Sequence, residues 1–87
     1  MKTRNGYGPH KTEDAARATA HRLAAAGPHT VVLSAAQNRE VLTKACETAG
    51  IETGEWDAKI CDWLAGYEDA TVGVIAGLIL RAAGRPT

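Results

Sequence analysis

Apolar residues recur at helical spacing in four stretches of the chain, and residues that start or stop helices bound each one. Ala16, Ala20, Leu23 and Ala24 make a thin apolar stripe behind Thr12, which is placed to cap a first turn holding Glu13 and Asp14. Gly27 and Pro28 stop that helix. Ser34 to Gln37 reads as a capping box, after which Val41, Leu42, Ala45, Cys46 and Ala49 line one face. Gly50 followed by Ile51 reads as a Schellman stop, with Ile51 folding back toward Cys46, while Arg39, Glu40, Lys44 and Glu47 face solvent. A third helix carries Trp56, Ile60, Trp63, Leu64 and Tyr67 on one side. In residues 70–80, ATVGVIAGLIL, no position is charged and bulky groups point in nearly every direction, the pattern of a helix buried all round. Helices are expected near 12–26, 35–49, 55–65 and 69–83.

The fold class this implies is an all-α bundle of about four helices. The last packs centrally against the aromatic face of the third, and short loops make neighbours antiparallel. Residues 30–33, TVVL, have strand composition without a second strand to pair with, so they serve as an extended connector or pair with a second copy across a two-fold axis.

Glycine placement adds one feature. Gly73, Gly77 and Gly84 project within ~40° of one another on a helix and make a smooth groove. Small residues four apart let helix backbones approach closely, a dimerisation device in lipid. Here the apolar run is shorter than the ~20 residues a bilayer needs, which excludes a membrane span and leaves a helix of this chain or of a second copy as the occupant.

Composition narrows the core. The chain has 87 residues with two Trp, two Tyr and no Phe, so the interior is expected to come from close-packed thin helices and the two indoles. The first helix, with Leu23 its sole bulky residue, is expected to pack loosely and to be the most mobile. A domain this small has little stability to spare, and an oligomer interface helps it. Net charge is zero but uneven: five Lys/Arg against two Asp/Glu over residues 1–29, and three against six over residues 30–66. Residues 1–10, MKTRNGYGPH, read as a flexible basic arm ahead of a single helical domain at 11–87, with Lys2, Arg4 and Lys11 as candidate phosphate contacts. The same polar start has no apolar signal segment, which points to the cytoplasm, where Cys46 and Cys61 stay reduced.

Candidate chemistry is sparse. Ser34 is explained as a cap, and both thiols project from apolar faces, where inertness is expected, so no catalytic group is assigned. His10, His21 and His29 are spaced so that no two share a helical face, and Cys46 and Cys61 form neither a CxxC pair nor a zinc knuckle; no metal or other cofactor is expected.

Three resemblances bear on function. Ile60, Leu64, Gly66, Thr71, Val72 and Ile75 are similar to a helix-turn-helix pattern, although Gly, Val, Ile and Leu stand where base-reading side chains belong. The run from Thr30 to about Leu64, with TVVLS and AGIETGEW, resembles a ribbon-helix-helix dimer, which implies DNA binding through alternate strand residues. Residues 42–83, with AGIETGEWDAKICDWLAGYEDATVGVIAGLILRA, resemble small uncharacterised helical proteins of actinobacteria and their phages, which implies an intracellular helical protein and carries over no site residue. The functional expectation is a non-catalytic interaction or regulatory protein, a homodimer, using Trp56, Trp63, Tyr67, Gly73 and Gly77. The alternative is a DNA-binding regulator of ribbon-helix-helix or helix-turn-helix type, with nucleic acid as partner.

Overall fold

A computed structural model describes residues 7–24 and 32–84. Among the described residues the chain forms four helices and no strand: α1 (Glu13–Leu23), α2 (Ala35–Ala49), α3 (Glu55–Leu64) and α4 (Asp69–Ala83). The all-α class and the helix order follow expectation, and Lys2, Arg4, Thr30, Val31, Gly27, Pro28 and His29 lie outside the described residues.

Local chemistry sets the helix ends. Thr12 Oγ1 accepts from the Ala15 amide at 3.1 Å, and Arg17 pairs with Glu13 at 3.0 Å along the first turn of α1. At α2, Ser34 Oγ accepts from the Gln37 amide and Gln37 Oε1 accepts from the Ser34 amide, a reciprocal cap. The helix ends where Gly50 turns left-handed at φ 73°, and the Ile51 amide reaches back to the Cys46 carbonyl at 2.9 Å, which is the six-to-one bond of a Schellman motif. Gly54 begins α3 with its amide donating to Asp57 at 2.9 Å. Glu68 precedes α4 in extended geometry without a side-chain cap bond.

Packing departs from the expected arrangement. α4 is central, but its neighbours are α1 and α2, and it does not rest on the aromatic face of α3. The buried core consists of Ala20 from α1, Leu33, Val41, Leu42 and Ala45 from the α2 region, and Val72, Ala76 and Leu80 from α4. Neither indole belongs to it, and the buried apolar groups are all aliphatic, with Thr19, Asn38 and Asp69 buried beside them. α4 is also one-sided: Val74 is 37% and Leu78 54% exposed, opposite the row that faces inward.

Small side chains explain why α1 packs closely rather than loosely. Ala16, Thr19 and Ala20 are buried against α4, and a Cβ on Gly73 would overlap the Ala16 carbonyl oxygen. Backbones this close gain dispersion contacts that a bulkier pair would hold apart. Gly77 receives the strand-free segment of residues 7–10, since a Cβ there would stand 2.6 Å from the Tyr7 carbonyl oxygen and 2.7 Å from His10 Cε1. The groove is thus filled by the chain itself, and Gly84, which is exposed, takes no part in it. Lys44, expected in solvent, donates to the Leu23 carbonyl at 3.1 Å and satisfies the C-terminal end of α1. Val32 and Leu33 have no regular secondary structure; the first is 75% exposed and the second is buried. No described helix is long and apolar enough to cross a membrane.

Candidate interaction surface

α3 lies at the edge of the molecule and presents the side that its sequence pattern marks as apolar. With Trp56 as origin and ~100° per residue, Ile60 and Trp63 fall within about 40° of it, and Ala58, Cys61 and Ala65 fall on the far side. The far side is the one that docks. Ala58 and Cys61 are half-buried and Ala65 is 2% exposed, whereas Trp56 is 69%, Ile60 41%, Trp63 60% and Tyr67 46% exposed. Small groups on the inner side allow α3 to approach α2, Leu64 packs on the core beside them, and the other bulky groups are left outward.

One cross-helix ion pair holds this arrangement. Arg39 of α2 donates from Nε to Asp62 at 2.7 Å and from a terminal nitrogen to Thr43 Oγ1 at 2.7 Å, so Arg39 bridges the helices rather than standing free. Trp63 and Tyr67 meet edge to face, with ring centroids 5.0 Å apart and planes at 73°, a favourable geometry for their quadrupoles. Lys59 Nζ sits 5.3 Å from the centroid of the Trp56 ring. Four exposed apolar side chains in one row are more than scattered surface hydrophobics, and such patches mark contact sites.

Between α2 and α3 a cleft of about 130 Å³ is lined by Leu42, Cys46, Ile51, Ala58 and Cys61, among others. Both cysteines are free thiols. Burial pushes the Cys46 thiol up, the Cys61 thiol and the Asp57 carboxylate add to that, and Arg39 opposes it. Such a thiol is a poor nucleophile.

A buried polar cluster joins the other helices. Asp69, 2% exposed in the first turn of α4, accepts from the Leu33 amide at 3.0 Å and from Asn38 Nδ2 at 3.3 Å, and its Oδ2 lies 3.0 Å from His21 Nε2. Burial pushes the Asp69 carboxyl up, but the bonds from Leu33, His21 and Asn38 outweigh it and hold the group below its ordinary value. The carboxylate also suits the positive end of α4. With both oxygens engaged by structural donors from α1, α2 and Leu33 in the segment before α2, the cluster closes the bundle. On the other side of α1, His10 Nε2 and Thr19 Oγ1 are 2.8 Å apart, and burial with the nearby Arg81 lowers the His10 value.

The expected residues therefore divide. Trp56, Trp63 and Tyr67 come together on one exposed surface, while Gly73 and Gly77 sit inside under α1 and residues 7–10. Lys11 is exposed near the start of α1. The contributions of Asp69, Asn38 and His21 are absent from the expected set; a signal existed in Asp69, an acidic residue beside an apolar helix start, but it reads equally as a cap. Among the described residues no three His, Cys, Asp or Glu side chains cluster as metal ligands do. No protein-family model matches the chain, and neither a curated protein nor a solved structure does. Its fold is that of a small all-α bundle with an exposed aromatic helix.

Proposed function

We propose that this is a non-catalytic interaction protein that works through protein contacts on the outer face of α3. The observation that carries this reading is the inversion of that helix: it docks by Ala58, Cys61 and Ala65 and leaves Trp56, Ile60, Trp63 and Tyr67 in solvent. Water contact over that much apolar area is unfavourable at ~25 cal/mol per Å², and a partner covering it recovers that energy. Tryptophan and tyrosine are also the residues that anchor interfaces. Self-association belongs to the same reading, with Val74 and Leu78 on the outer side of α4 as its surface.

The test is a comparison of wild type with Trp56→Ala/Trp63→Ala in partner capture and in sedimentation. The variant is expected to keep its helical circular dichroism and lose the captured partner; a partner retained in full refutes the reading. A monomer mass at tens of micromolar removes self-association. Binding to random duplex DNA with a steep salt slope, unchanged in the variant, replaces the reading with the nucleic-acid alternative.

A further inference from the structure

We infer that the α3 face receives a basic amphipathic helix of another protein, an inference that rests on that face being the contact surface. Trp56, Ile60, Trp63 and Tyr67 follow one another at steps of four, three and four residues. That is the spacing of a seam between two packed helices. Its helical part, Trp56 to Trp63, extends over about 10 Å of helix axis, or about two turns of a partner, and Tyr67 continues the row from the turn after α3.

Charge selects the sign of the partner. Residues 52–68 contain five carboxylates and one cation, Lys59, a balance of −4; Arg39, reaching Asp62 from α2, reduces it to −3. Glu52, Glu55 and Glu68 are all exposed. The ring of Trp56 already holds a cation at 5.3 Å from its centroid, in the attraction that an indole face has for an ammonium or guanidinium group. An acidic border and a cation-accepting ring both call for Lys and Arg flanking an apolar stripe. A second copy docked face to face about a two-fold axis sets acidic border against acidic border. Nucleic acid and anionic lipid meet the same repulsion, and helices that lie on membranes carry Lys and Arg on the polar face, the reverse of α3.

Both tryptophans lie in the seam, so their emission reports its occupancy in the full chain. The probe is an aromatic-free peptide of about 18 residues with Leu on one helical face and Lys on the other. A blue shift is expected, with a dissociation constant on the order of micromolar at low salt, as suits a small interface, and it weakens severalfold at high salt. The matching peptide with Glu for Lys binds at least about tenfold more weakly. Removing single acidic groups by Glu55→Gln or Glu68→Gln weakens the Lys peptide about two- to fivefold. Equal affinity for the Lys and Glu peptides overturns the basic partner and leaves α3 as a contact surface. A larger shift with phosphatidylserine vesicles than with the Lys peptide overturns the inference in favour of lipid. Lys-peptide binding that survives Trp63→Ala unchanged, or no binding by either peptide, overturns both this inference and the reading beneath it.

Discussion

Replacement of Asp69 by alanine removes the acceptor on which three parts of the bundle converge. The Leu33 amide, 3.0 Å away, loses its bond inside the protein, and Asn38 Nδ2 keeps only a 3.4 Å contact with the Tyr67 carbonyl. Each buried donor left unpaired costs about 1–3 kcal/mol. Loss of a carboxylate at the positive end of α4 adds about 0.3–1 kcal/mol. Because Asn38 retains part of its bonding, the lower half of that range applies, about 3–4 kcal/mol. A chain of this length has about 4–13 kcal/mol in all, so the loss is a large share of it. Urea unfolding followed by circular dichroism measures it: the midpoint falls while the slope stays constant, and Tm drops by about 12 °C or more. Asp69→Asn keeps the shape and one acceptor oxygen and is expected to recover about half of the loss. A destabilisation under about 1 kcal/mol in Asp69→Ala refutes the structural role assigned to the cluster. The pH dependence has a definite sign. The folded-state value of Asp69 lies below the ordinary 3.8, so its contribution is fully present above that unfolded value and is lost as pH falls through the folded one. Wild type therefore loses stability below about pH 4 that the Asn variant does not.

Other positions give independent tests. Gly73→Ala forces a methyl group into the Ala16 carbonyl and is expected to destabilise by about 1–3 kcal/mol without changing the sedimentation mass; a neutral result places α1 elsewhere. Trp56→Ala and Trp63→Ala are each expected to change stability by less than about 1 kcal/mol, against about 3–5 for a core aromatic, and iodide should quench wild-type emission readily. His10 is expected to titrate below 6.5 by NMR because burial and then Arg81 disfavour its charged form. Its contribution to stability is thus present above 6.5 and lost as pH falls through the folded value, and a titration midpoint at or above 6.5 refutes its placement beside Arg81.

Helix number, order and starts were legible in the sequence because they depend on groups a few residues apart, whereas the first helix, expected to reach 26, closes at Leu23. The Ser34 and Gln37 box, the Gly50 turn with Ile51, and the cap at Thr12 all close within one turn of chain. The aromatic cluster was also legible as a single face, since periodicity alone brings Trp56, Ile60 and Trp63 together. Which face turns inward was not. The opposite side of α3 has its own periodic row, Ala58, Cys61 and Ala65, and only the shape of α2 opposite it decides that the small row docks. Likewise the glycines marked a close approach, but the occupants, Ala16 and the residues from Tyr7 to His10, come from a helix and a segment more than fifty residues earlier. Asp69 is the sharpest case. By sequence it is one of two acidic residues at a helix start; its partners at positions 21, 33 and 38 are brought to it by folding alone. Hydrogen bonds within a turn are specified by local spacing, whereas burial, groove filling and long-range polar contacts depend on how whole surfaces fit, and those the tertiary structure decided.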